Sequence, residues 1–143
     1  VVRLVGSEMC IRDSYMVDEK DLKENQPRLL AVDNAVYVPV NKVVKVMITA
    51  NDVLHAWALP SFGVKRDAIP GRINETWFKA DRTGTFYGQC SELCGIKHAF
   101  MPITVNVVSE DEYNKWLEEA KVKFAKEEIN KNIKVAKKIK EIN

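Results

Sequence analysis

An all-β sandwich or Greek-key barrel followed by a C-terminal helix is the fold class this sequence predicts. Three observations carry that reading. Short β-branched, apolar runs recur between residues 28 and 108, separated by turn-forming residues. No internal repeat, low-complexity block or glycine-rich phosphate loop interrupts them. From Ser109 to Asn143 there is neither Pro nor Gly, and Lys, Glu, Ala and Ile dominate. The 143 residues suit one domain with a core of its own.

The elements follow in order. Residues 16–27 (MVDEKDLKENQP) are polar and read as an irregular lead-in. RLLAVD (28–33) is the first strand expected, closed by the turn pair Asp33-Asn34. VYVPV (36–40) comes next, where Pro39 argues for an edge or a strand end. VVKVMITA (43–50) alternates so that Val44, Val46 and Ile48 share one face. LHAWAL (54–59) puts His55, Trp57 and Leu59 on one side and Leu54, Ala56 and Ala58 on the other. SFGVKRDAIPGR (61–72) holds Gly63, Pro70 and Gly71 and is expected to be a long loop. INETWFKA (73–80) and GTFYGQ (84–89) are strands around a turn at 81–84, and PITVNVV (102–108) is the last. Ser109 and Glu112 then form an S-x-x-E capping box, and Leu117, Ala120 and Phe124 share a helical stripe. Ile129, Ile133 and Ala136 continue the stripe less regularly, and residues 129–143 hold five Lys against one Glu. The basic tail is read as a solvated face, with contact to anionic lipid as the functional alternative.

Residues 1–14 stand apart. They keep no period and lack the parts of a signal peptide. GSEMCIRDS (6–14) resembles a translated sequencing adapter, so the segment is expected to be non-native and Cys10 is given no role. Matching the encoding DNA to adapter sequence decides the point. The domain expected is therefore 15–108, with 109–143 as a helical extension. A net charge of +2 gives no basic face for nucleic acid, and no apolar run reaches the roughly 18 residues of a membrane-spanning helix.

The chemistry sits in one stretch, Cys90-Ser91-Glu92-Leu93-Cys94-Gly95-Ile96-Lys97-His98-Ala99-Phe100-Met101-Pro102. The only other histidine, His55, lies 35 residues before Cys90. Thiolate and thioether donors are soft and select copper or zinc over magnesium or calcium. A zinc site takes four Cys/His ligands and ignores Met101. A mononuclear blue-copper site uses both histidines, one cysteine and Met101, and leaves a cysteine over. A dinuclear copper site uses both thiolates, one histidine on each metal, and Met101 plus a backbone carbonyl as weak outer ligands, so the spacing suits two coppers better than one. Against these stand a Cys90–Cys94 disulfide, a satisfied core histidine at His55, and Met101 as a gap filler.

CSELCGIKHAFMP (90–102) resembles the CuA motif of subunit 2 of haem–copper cytochrome c oxidases. NDVLHAWALPSFGVKRDAIPGRINET (51–76) is similar to the family's segment around its first histidine ligand, and RLLAVDN (28–34) to its first periplasmic strand. The likeness covers roughly residues 15–117. Nitrous oxide reductase carries a related motif with an aromatic residue at the position of Glu92, and the ba3 type usually has Gln there, so Glu92 favours the aa3-like branch. The resemblance implies a cupredoxin-like barrel and two copper ions. It implies His55, Cys90, Cys94, His98 and Met101 as side-chain ligands, and Glu92 as a carbonyl ligand whose carboxylate reaches a magnesium ion shared with subunit 1. It implies that Asp33 and Asp52 belong to the face that docks cytochrome c, a face weakened here by Asn51.

The function expected is electron entry, from cytochrome c to haem in subunit 1, with no nucleophile, general base or substrate cleft in this domain. Oxygen reduction and proton pumping would belong to subunit 1. Thiols kept reduced outside the cytosol imply copper-delivery partners. The expected location is the periplasmic face of a bacterial inner membrane, or the intermembrane-space face of the mitochondrial one. Family members are anchored there by a transmembrane hairpin that this sequence lacks, and they carry a Trp-bearing aromatic run before the first strand. Trp57 and Trp77 are expected in the barrel and Trp116 on the helix. The alternatives are a mononuclear copper carrier and a metal-free, disulfide-stapled binding module.

Overall fold

A computed structural model describes the backbone of two short N-terminal strands and all of residues 15–122. The strands are β1 (Val2–Val5), β2 (Ile11–Arg12), β3 (Val36–Pro39), β4 (Val43–Ala50), β5 (His55–Leu59), β6 (Val64–Ala68), β7 (Asn74–Lys79), β8 (Gly84–Cys90) and β9 (Pro102–Val108). They form two sheets, ordered β2-β1-β4-β7 and β3-β9-β8-β5-β6. Among the described strands the pairings are antiparallel except β3 with β9, which is parallel. The all-β expectation holds, with α1 (residues 110–122) following the last strand.

The sheets face each other across an apolar core. Along β4 the expected alternation is present: Val46, Ile48 and Ala50 are buried, while Val43 and Lys45 are exposed. Trp57 and Leu59 of β5 and Val105 and Val107 of β9 meet them from the other sheet, and Phe78 of β7 joins them from β4's own sheet. Phe62, from the 3-10 turn Pro60–Phe62, stacks on Phe78 with ring centroids 4.7 Å apart. Trp77 belongs to the barrel by sequence position, but its side chain points outward from β7 and is 69% exposed. Pro39 is tolerated because β3 is an edge strand, where a missing backbone donor costs no ladder bond.

Two expectations fail for physical reasons. Residues 28–33 are a turn, not a strand. Leu30 and Ala31 both donate backbone N–H bonds to Pro27 O, and Leu29 has φ 65°, which no strand residue adopts. Only Val32 bridges, to Met16. Thr104 Oγ1 donates to Leu30 O at 2.9 Å and pins this turn to β9. Second, the loop expected over 61–72 contains β6, paired with β5 along its length from His55↔Ala68 to Leu59↔Val64. Its middle residues Lys65, Arg66 and Asp67 are exposed because β6 is the sheet's edge. Charge on an edge strand suppresses further pairing but erases the apolar signature of a strand.

The capping box forms as expected. Ser109 N–H and Oγ–H donate to Glu112 Oε2 at 3.0 and 2.8 Å, and Glu112 N–H returns a bond to Ser109 Oγ at 3.3 Å. Those two bonds from Ser109 hold the Glu112 carboxyl below its ordinary range. Ala120 of the stripe is buried, and Trp116 stacks on Tyr37 of β3 with centroids 5.0 Å apart. Phe124, Ile129, Ile133, Ala136 and the basic tail lie outside the described residues.

Candidate metal centre

Strand register builds the site. His55 is the first residue of β5 and Cys90 the last of β8. The pairing Trp57↔Cys90 brings these strand ends together. β8 can lie this close to β5 because residue 88 is glycine: a Cβ there would sit 2.0 Å from Ala58 O. The loop 91–101 then folds back over the strand ends. Ser91 N–H donates to Ala56 O at 2.9 Å, and Cys90 N–H donates to Met101 O at 3.0 Å. Gly95, at φ 120°, supplies a conformation other residues rarely adopt. Beyond it, His98–Phe100 forms a 3-10 turn, with His98 N–H bonded to Gly95 O at 3.1 Å.

The loop closure gathers the expected donors. Cys90 Sγ lies 3.8 Å from His55 Nδ1, and Cys94 Sγ lies 3.6 Å from His98 Nδ1. The two sulfurs are 3.9 Å apart. A disulfide requires about 2.05 Å, so both are free thiols, contrary to a stapled loop. Met101 Sδ is 3.5 Å from Cys94 Sγ, and Glu92 O accepts from Cys90 Sγ–H at 3.3 Å. The donor atoms of His55, Cys90 and Cys94 all lie within 4.8 Å of one another. Each thiol therefore has one imidazole and one weak donor beside it: His55 and the Glu92 carbonyl for Cys90, His98 and Met101 for Cys94. The Glu92 side chain is exposed and turns its carbonyl, not its carboxylate, to the cluster.

Burial shapes the electrostatics. The His55 ring is 2% exposed, and its other nitrogen, Nε2, lies 2.8 Å from Asp52 Oδ1. That hydrogen bond holds the Asp52 carboxyl down at about 2, against a smaller opposing effect of desolvation. Burial pushes the Cys94 thiol up, and the neighbouring Cys90 pushes in the same direction. Leu93 and Ile96 stand exposed on the loop, with Phe100, Val53 and Leu54 partly so. Asp33 lies elsewhere in the fold: its Oδ1 accepts from Tyr15 N–H at 2.7 Å, and it lines a cleft of about 630 Å³ between the 25–35 turn, the sheet and α1.

Sequence reasoning did not give two residues their part in shaping this site. Asp52, expected at the docking face, also has its carboxylate bonded to a buried ring, while its side chain stays 56% exposed. The signal was an Asp three residues ahead of His55 across a turn. Gly88 gave no signal beyond a glycine inside a strand.

Two thiols, two imidazoles and a thioether at one end of a β-sandwich fit a soft metal such as copper, and they do not fit a hard cation. The class defined is thus a β-sandwich domain carrying a soft-metal centre. The model of the family "Cytochrome C oxidase subunit II, periplasmic domain" matches residues 6–108, and the chain belongs to that family. Cytochrome c oxidase subunit 2 of Cereibacter sphaeroides is 62% identical over 93 residues, covering 65% of this chain and 31% of the relative. The probable cytochrome c oxidase subunit 2 of Rickettsia prowazekii (strain Madrid E) is 54% identical over 105 residues, covering 73% and 34%. The chain thus spans about a third of the length of these curated relatives. The crystal structure of the periplasmic domain of subunit II of cytochrome oxidase (CoxB) of Bradyrhizobium japonicum superposes with a TM-score of 0.75 at 60% identity, covering 82% of this chain and 81% of that one. A mixed disulfide intermediate between thioredoxin-like TlpAs and CoxB subunit II superposes with a TM-score of 0.67 at 59% identity, covering 82% and 79%. The fold is therefore the cupredoxin-like one expected. No helix among the described residues is long and apolar enough to cross a membrane.

Proposed function

We propose that this domain holds two copper ions on His55, Cys90, Glu92 O, Cys94, His98 and Met101, and relays electrons from cytochrome c toward haem in subunit 1. The observation that carries the reading is the doubled arrangement: two free thiols 3.9 Å apart, each beside its own imidazole. A mononuclear site leaves one thiol without a purpose. When bound, the copper ions held by these residues would supply a one-electron carrier.

The chain's own residues do the rest. Two thiolates offset most of the charge of two coppers and so limit the cost of burying them. β5 and β8 fix His55 and Cys90 on regular elements, which keeps donor positions the same in both redox states. The exposed apolar residues Leu93, Ile96 and Phe100 give the loop a surface suited to a protein partner. Asp33 and Asp52 would add charge for docking cytochrome c, and the exposed Glu92 carboxylate would reach a magnesium ion at the contact with subunit 1. The subunit 2 relatives support assembly into an oxidase at the periplasmic or intermembrane-space face of a membrane. The structure of a relative in mixed disulfide with a thioredoxin-like protein supports a similar partner here, one that keeps Cys90 and Cys94 reduced before copper delivery. The bounds we propose remain 15–108 for the copper domain, 109–143 for the helical extension and 1–14 as foreign sequence.

Cysteine substitution tests the copper count. Cys90→Ser and Cys94→Ser should each reduce bound copper from two ions to one or none and remove the spectrum of the intact centre. A variant that keeps a full, unaltered copper spectrum would show its thiol to be dispensable, as a mononuclear carrier requires.

A further inference from the structure

We propose that Asp52 is a positioning residue for the metal centre, holding the His55 ring by Nε2 so that Nδ1 faces Cys90. The inference rests on the copper reading above for its purpose but not for its geometry. The ring is 2% exposed, so water cannot orient it, and the Asp52 carboxylate oxygen lies 2.8 Å from Nε2. An ionised carboxylate only accepts hydrogen bonds. Nε2 must therefore carry the proton, which leaves the lone pair of the neutral ring on Nδ1. Nδ1 is the atom that lies 3.8 Å from Cys90 Sγ.

One acceptor thus sets three properties of the ligand: its tautomer, its ring orientation and its electron donation. The geometry comes cheaply. Residues 51–53 form the bend between β4 and β5, so Asp52 reaches back over the strand's first residue without an insertion. Its side chain is 56% exposed, so solvent screens the carboxylate charge, while the hydrogen bond needs only an acceptor at the right place.

This role separates from docking by a simple contrast. Docking depends on charge, whereas positioning depends on an acceptor. Asp52→Asn keeps an acceptor oxygen and removes the charge, and Asp52→Ala removes both. The test uses the full chain with ¹⁵N-labelled histidine, metal-free at pH 8, with the His98 ring as internal reference. Wild type and Asp52→Asn should show His55 as the Nε2–H tautomer, and Asp52→Ala should move its ring nitrogens toward averaged tautomer shifts with His98 unchanged. After copper loading, Asp52→Ala should lose metal to a chelator about 10- to 100-fold more readily, and Asp52→Asn less than about 10-fold. An unchanged His55 tautomer in Asp52→Ala overturns the proposal. Equal loss of metal from Asn and Ala variants overturns it too, because charge alone would then explain the effect. If wild type takes up no copper, the copper reading fails, and the metal-free tautomers still decide whether Asp52 holds the ring.

Discussion

At the scale of single residues, the weak donors separate from the strong ones. Met101 Sδ lies 3.5 Å from Cys94 Sγ, whereas the Glu92 carbonyl neighbours Cys90, and a thioether is a poor ligand beside thiolate and imidazole. Met101→Leu should therefore leave the copper content unchanged while shifting the reduction potential and the visible absorption, read by metal analysis and redox titration. Loss of a copper ion in that variant would make the thioether a principal ligand. The residues of this site differ in how legible they were. Cys90 to Met101 occupy one short stretch whose spacing already groups them. His55 was legible through the resemblance of its flanking segment. The role of the Asp52 carboxylate was not, because it depends on the bend 51–53 folding back on the strand it precedes.

Among elements, the site depends on how closely β8 approaches β5. Gly88→Ala would bring a Cβ to 2.0 Å from Ala58 O, a backbone atom in a paired strand that cannot move alone. We expect a loss of about 1–3 kcal/mol in chemical denaturation, with weaker copper uptake because His55 and Cys90 are carried on the two strands forced apart. Unchanged stability would mean that the strands relax freely. The start of α1 gives a pH dependence. The folded-state pKa of Glu112 lies below its unfolded value, so the stabilisation is present above the ordinary carboxylate range and is lost as pH falls through the folded value. Amide-exchange protection at residues 110–116, taken relative to the intrinsic rate at each pH, should fall on acidification, and Glu112→Gln should flatten that response. A wild-type profile that the substitution leaves intact would assign the acid sensitivity elsewhere. Strand legibility followed burial. β4 has one buried face and reads clearly from alternation, and β9, buried along most of its length, reads as a β-branched apolar run. β6 was hidden by its charged, solvent-facing middle, and residues 28–33 looked like a strand only because an apolar turn has the same composition. Side-chain pattern reports burial more directly than backbone conformation.

For the whole molecule, the sandwich acts as a frame that sets two strand ends and one loop against each other. β1 runs along β4 from Val2↔Ala50 to Val5↔Met47, which shows that the edge of β4 accepts a short apolar segment. An open edge pairs with whatever strand is near, so this pairing is compatible with a foreign origin for residues 1–14. The fold class was visible in the strand and turn rhythm, but the pairing order of the two sheets was not, because nothing local in β3 announces a parallel partner 69 residues onward at Val36↔Val105. The central claim is that the doubled set of donors holds two coppers as one electron carrier. Copper reconstitution of the reduced chain, followed by metal analysis and electron paramagnetic resonance, tests it most directly. The account predicts two coppers per chain and one unpaired electron shared by both nuclei, seen as a seven-line pattern. One copper with a four-line signal would contradict it and leave a mononuclear carrier in its place.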